Sequence, residues 1–162
     1  MSTLKIVLLV AGAGGVLLVA LIVYSLSPTI RNVSNAEVLE RYVGKSVKLK
    51  RKAFIHKRDK GSFDLVENVV TDVKDNPGTL LMELPEGSEI NIKEFKTYTN
   101  NLGSGFTWLY ALGDVLNKDG QKIPFEYGLG SVDKQLYSDQ PRQLGLTIWQ
   151  DEFDKPFVFV KE

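Results

Sequence analysis

Residues Ile6 to Leu26 form a run of 21 positions without a charged side chain, most of them Leu, Val, Ile, Ala or Gly. No other feature limits the fold of this chain as strongly. At about 1.5 Å of rise per residue, a helix over this run is roughly 31 Å long, matching a hydrocarbon core of about 30 Å. A helix that is apolar on every side needs apolar surroundings on every side. Tyr24 stands near one end, where an amphipathic ring suits the membrane interface, and Pro28 stops the helix just beyond.

The rival reading is a cleaved signal peptide with Met1–Lys5 as its leader. Its apolar region usually spans about 7–15 residues and ends in a small-x-small site. The one such site here, Ser25-Leu26-Ser27, would put Pro28 directly after the cut. The sequence therefore predicts a retained single-pass signal-anchor. Lys5 lies on its short side, whereas Arg31, Arg41 and Lys45 follow it, so the positive-inside count does not favour an inside N-terminus. A long C-terminal domain nevertheless translocates largely regardless of its charge. A short tail before a signal-like helix is the usual layout of an exported, tethered domain. The expected arrangement is N-terminus inside, domain outside the cytoplasm.

The remaining length suits one ordinary domain. The expected division is 1–27 tail and anchor, 28–43 linker, and 44–162 β domain. In the linker, Ser34 followed three residues later by Glu37 has the capping-box pattern, Gly44 is a stop, and Val38, Leu39 and Tyr42 share a helical face. A short amphipathic helix is expected there. Beyond it the pattern turns to β. Ser46–His56 alternates, with Val47, Leu49, Ala53 and Ile55 on one side and Lys48, Lys50 and Lys52 on the other. Further strands are expected over 63–73, 79–84, 90–99, 105–116, 122–127, 144–149 and 156–161, with a long loop over 128–144. Asn76-Pro77-Gly78, Pro85-Glu86-Gly87 and Asp119-Gly120 are turn signals between them. About eight short strands with frequent turns predict a mainly β fold, a small barrel or sandwich behind the anchor and the linker helix.

Charge is distributed unevenly. Lys45–Lys60 holds eight basic residues against Asp59, a formal +7, while residues 61–162 carry a formal −8. Two readings compete for this segment. Lysines on a solvated strand face guard a sheet edge. The sharper alternative makes Lys48, Lys50 and Lys52 candidate contacts for anionic lipid headgroups or an acidic partner, because they follow the anchor closely. Nucleic-acid binding needs stacking aromatics on a basic surface; Phe54 beside His56 offers little, and no nucleic-acid partner is expected.

No motif carries catalytic, metal or cofactor chemistry. With no cysteine there is no disulfide framework and no thiol reaction. His56, the only histidine, reads as a surface residue at the end of the basic strand. Asn117, Asp119 and Gly120 lack the acidic twelfth position of a calcium loop, which is Gly128 here. Asp151, Glu152 and Asp154 read as a solvated loop. Gly103-Ser104-Gly105 and Gly128-Leu129-Gly130 lack phosphate-loop spacing. Asn32-Val33-Ser34 fits a glycosylation sequon but stands six residues past the anchor. Ala11 and Gly15 form one small-xxx-small pair within it. Aromatic residues crowd the second half, where Phe106, Trp108 and Tyr110 share a strand face, as do Phe157 and Phe159. Core filling is their default role; wherever exposed, Phe106, Trp108 and Tyr110 form a binding surface.

Leu109-Tyr110-Ala111-Leu112-Gly113-Asp114, Lys118-Asp119-Gly120 and Lys155-Pro156-Phe157-Val158 resemble the C-terminal half of the membrane-adjacent β domains called GIDE or BAM. Phe63-Asp64-Leu65 is similar to an earlier strand of that family. The long insertion between Gly128 and Gly145 and the absence of RING-type cysteines depart from its ubiquitin-ligase members. The resemblance implies a non-catalytic domain beside a membrane, without cofactor. The expected function is a membrane-tethered module that docks a protein partner or scaffolds an envelope complex. The alternatives are a small-ligand carrier or sensor and, behind it, a carboxylate-dependent hydrolase.

Overall fold

The apolar run folds as one helix, α1 (Thr3–Leu26). The structure is a computed structural model that describes residues 3–58, 65–101, 106–132, 144–152 and 154, with the side chains of α1 described from Gly12 on. Every residue from Gly12 to Leu26 is exposed. Those positions rise about 22 Å, and among the described residues no helix is long and apolar enough to cross a membrane.

Two residues, Ser27 and Pro28, separate α1 from β1 (Thr29–Asn32), and α2 (Glu37–Glu40) follows. The remaining strands are β2 (Lys45–Lys48), β3 (Ala53–Lys57), β4 (Asn68–Thr71), β5 (Thr79–Leu84), β6 (Glu89–Thr99), β7 (Thr107–Leu116) and β8 (Lys122–Ser131). The mainly β expectation holds, but among the described residues neither a closed barrel nor a two-sheet sandwich forms. The eight strands make a single open sheet in the order β1-β6-β7-β8-β4-β3-β5, with β2 also on β6. All contacts are antiparallel except β4 with β8.

A shared corner explains why the sheet curls without closing. Lys48 faces Glu89 and Ala53 faces Leu84, five residues further along each chain segment, so β2–β3 and β5–β6 bend together in one register. The strands are interrupted at the bend. Pro85 has no N–H to give, Gly87 takes a positive φ of 82°, and the Lys50 N–H leaves the sheet to reach the Ile148 carbonyl. The alternating run expected over 46–56 is therefore two strands. The curl gathers Phe95, Phe125, Ile55, Ile90, Ile92 and Leu109 into one core, closed from outside by Leu39 and Ile148; all eight are completely buried. Burying each such side chain contributes about 1.5–3 kcal/mol.

Other departures have local causes. The linker helix is a single turn capped at Ala36, not Ser34. Ser34 instead accepts the Phe95 N–H on its hydroxyl at 2.9 Å, beside the bulge of β6. The expected apolar face does pack inward, through Leu39, Val38 and Tyr42. β8 continues through Gly128 and Gly130, where a loop was expected. Leu109 faces Gly130 and Tyr110 faces Gly128, so Leu129 is the extra residue of a β-bulge, a position that suits glycine neighbours. Residues 144–149 are irregular, with a turn at Ile148-Trp149 and no strand, and contribute Leu144, Ile148 and Trp149 to the core. The expected strand over 63–73 is only β4, its first two residues lying outside the described ones; the strand over 156–161 lies wholly outside them.

Candidate functional site

Phe106, just ahead of β7, and Trp108 are 43% and 44% exposed, and the buried Thr107 and Leu109 alternate with them. With Leu129, Gly130, Ser131, Leu144 and Gly145 they line an open cleft of about 340 Å³. Tyr110, expected on the same surface, is half-buried beside Gly128 and is not among the lining residues. The cleft is mostly apolar, and Ser131 is the one side chain in its lining that carries a hydroxyl.

The register shows where this cleft lies. Thr29, Thr99 and Thr107 stand in one row across β1, β6 and β7. The hydroxyls of Thr99 and Thr107 are 3.0 Å apart. Ile30, Tyr98, Trp108 and Ser131 form the next row. On the other side, the Asn100 N–H reaches the Phe106 carbonyl, and Asn101 donates its amide to the Ser27 carbonyl and to the Thr29 hydroxyl. The aromatic cleft is thus at the end of the sheet where α1 enters.

Lysines of the basic segment are paired with carboxylates of the domain. Lys48 pairs with Glu89 at 3.9 Å, Lys50 with Asp151 at 2.8 Å and Lys52 with Glu83 at 2.6 Å. Lys57 pairs with Glu67, and Arg51 donates to the carbonyls of Leu146 and Thr147. The three lysines do not form the single strand row their spacing predicted, because Lys50 and Lys52 lie in the corner after β2 ends. Each meets its own carboxylate, so the +7 segment and the acidic remainder clamp the bend. The hydrogen bond to Asp151 holds Lys50 above the usual lysine range, and the one from Lys52 holds Glu83 below the usual carboxylate range.

A buried polar row crosses the sheet away from the cleft. His56 faces Val69, and Val69 faces Glu126. His56 is 2% exposed, which corrects its reading as a surface residue. It lies on β3, an interior strand on which Ala53 through His56 are all buried. Neither ring nitrogen has a hydrogen-bond partner among the described residues. Glu126, completely buried, accepts Arg58 Nη1 at 2.9 Å on one oxygen and the N–H groups of Leu65 and Val66 on the other. Asp114, also buried, takes Asn91 Nδ2 at 2.9 Å and Lys93 Nζ at 2.7 Å. Burial presses its carboxyl upward, but the hydrogen bonds from Lys93 and Asn91 outweigh this and hold it below the usual range. Asn117, considered for a calcium loop, turns its side-chain oxygen onto the N–H groups of Asp119 and Gln121. Asp151, besides pairing with Lys50, closes a turn with Asp154. Among the described residues no three His, Asp or Glu side chains converge as metal ligands would.

The last surface feature is β5, the end strand of the sheet, whose outer edge has no strand beside it among the described residues. Leu80 faces His56 and Met82 faces Ile55, so Leu81 is the extra residue of a β-bulge; Leu80 and Leu81 are both exposed, 40% and 44%. Sequence reasoning passed over this edge, although Leu80-Leu81-Met82 breaks the polar–apolar alternation of a half-buried strand. The chain matches no protein-family model, no curated protein and no solved structure.

Proposed function

We propose that this chain is a membrane-tethered, non-catalytic binding module, held by α1 at the bilayer with its domain outside the cytoplasm, and that it docks a protein partner. The tether reading draws support from the 24-residue length of α1, about 36 Å, and from the exposure of its apolar side chains. The docking reading is carried by the open edge of β5. Sheet edges in monomers are normally guarded by charge, proline or a bulge. The β5 edge has a bulge, at Leu81, yet two adjacent leucines still lie bare on it. Such an edge suits an extended segment of a partner, added as a further strand with apolar side chains over Leu80 and Leu81. The buried carboxylates support the absence of catalysis, because Glu126 and Asp114 are engaged by Arg58, Lys93 and backbone groups.

A photo-crosslinking residue at position 81 of the full-length protein, expressed in its native membrane, tests this. It is expected to capture a defined partner, whereas the same residue at Leu116, which is more exposed, at the end of β7, captures none. Replacing Leu80 by Lys in the position-81 crosslinking protein abolishes capture without lowering its melting temperature. Equal capture from both positions, or capture indifferent to Leu80→Lys, overturns the docking reading. Protease added to right-side-out vesicles is expected to digest the domain beyond Pro28; full protection overturns the orientation.

A further inference from the structure

The cleft at the entry of α1 has a different partner from the β5 edge. We infer that Phe106 and Trp108 seat in the headgroup layer of the bilayer that α1 enters, so that the domain lies against lipid by this end; the inference rests on the tether reading above. Three observations converge on it.

The first is level. Phe106 stands in the row of Asn100, one residue nearer the helix than the row of Thr29, Thr99 and Thr107. From Leu26, the last residue of α1, the chain reaches that level at Pro28, two residues on, or about 7 Å at most. The polar layer on each side of a hydrocarbon core is roughly 5–8 Å deep. Phe106 therefore reaches the layer in which amphipathic rings concentrate, and Trp108, at the level of Ile30, four residues past Leu26 and about 14 Å from it at most, stands at the outer margin of that layer. The second is lateral reach. From β1 to β7 there are two strand spacings, about 10 Å, so the rings are beside the helix and not across the domain from it.

The third is rigidity. Asn101, on the arm of β6 that leads toward Phe106, bonds both residues that flank Pro28, and β1 pairs with β6 over its whole length. The end of the helix and the aromatic end of the sheet are one hydrogen-bonded unit. Where the helix end goes, the rings go. Together with Tyr24, 81% exposed in the last turns of α1, and Ile30 at 49%, they make an apolar and aromatic collar around the helix exit. A soluble partner protein is a poorer occupant, since it would have to enter the space between the domain and the membrane surface.

The chain holds two tryptophans, and Trp149 is buried while Trp108 is not. The full-length protein is reconstituted in neutral phosphatidylcholine vesicles, with no other protein present, carrying a nitroxide quencher either near the headgroup or at the acyl terminus. The expected result is quenching that is stronger from the shallow label and is lost in Trp108→Phe. Trp149→Phe retains it, which guards against a folding defect in the first variant. Protein that resists alkaline extraction from the vesicles, yet shows no shallow quenching or the same quenching in Trp108→Phe, overturns this inference alone. Protein released by alkaline extraction overturns the tether reading and this inference with it.

Discussion

Arg58 donates from Nη1 to a Glu126 carboxylate oxygen at 2.9 Å, and the Glu126 side chain is completely buried while that of Arg58 keeps 32% of its exposure. The pair ties the chain just after β3 to the middle of β8. The other Glu126 oxygen takes the N–H groups of Leu65 and Val66, just ahead of β4. One carboxylate thus fixes both sides of the connection from β3 to β4.

Arg58→Ala removes this guanidinium from a buried carboxylate. Breaking a fully buried pair costs about 3–5 kcal/mol; water at the exposed part of Arg58 reduces this to about 2–3 kcal/mol. Glu126→Gln keeps an acceptor for the two N–H groups and is expected to cost less. Chemical denaturation of the full chain in mild detergent measures both. Equal losses would show that the charge on Glu126 carries no weight.

Asp114 predicts a pH dependence. Its carboxyl is held below the ordinary range, so the unfolded chain takes up the proton first as pH falls. The resulting stabilisation is complete above about pH 4, the usual aspartate value, and is lost as pH drops through the lower folded-state value. The stability difference between the native chain and Asp114→Asn is expected to be constant from neutral pH down to about pH 5, and to shrink below that. A difference that stays flat down to pH 3 would remove Lys93 and Asn91 as the cause.

Gly113 has no space for a side chain. A Cβ there would meet the Asn91 carbonyl oxygen and lie 2.8 Å from the Phe125 ring. Both neighbours are fixed, one in the β6 backbone and one in the core. Gly113→Ala is expected to cost about 2–3 kcal/mol, read as a fall in melting temperature. Gly87→Ala separates space from conformation: nothing stands near its Cβ, but φ is positive, so its cost is about 1 kcal/mol.

Much of this fold was legible where the signal is local. β5, β6 and β7 follow from turn residues and alternating runs, and β5 has the bounds read from the sequence, Thr79–Leu84. The hairpin at Asp119-Gly120 forms as expected, with Gly120 at a φ of 76°. What escaped depends on residues distant in the chain. Thr29–Asn32 has no strand pattern of its own and pairs because the edge of β6 is available beyond β2. Alternation assumes one wet face; in a curled sheet β3 is covered on both, and so His56 is buried. For the candidate surfaces, exposure of Phe106 and Trp108 could be posed from sequence only as a condition. Their neighbourhood to α1 came entirely from register.

The place of β1 and Leu39 changes where the domain can be cut. Leu39 is fully buried in the core, so Leu39→Ala is expected to cost about 2–4 kcal/mol. A fragment over 28–162 should therefore melt cooperatively as a β-rich protein by circular dichroism. One starting at residue 44 lacks both β1 and Leu39, and its midpoint is expected to fall well below. Indistinguishable midpoints would make residues 28–43 a true linker.

The direct passage from α1 into β1 also decides how force enters the domain. β1 runs away from the helix alongside β6 for four paired residues, from Thr29 opposite Thr99 to Asn32 opposite Lys96. A pull on the helix along the axis of β1 loads these pairs in shear, all at once, and does not peel them one by one. Displacement of α1 is then transmitted to β6, the strand that also carries β2 and β7, without slack to absorb it. Movement of α1 becomes movement of the whole sheet.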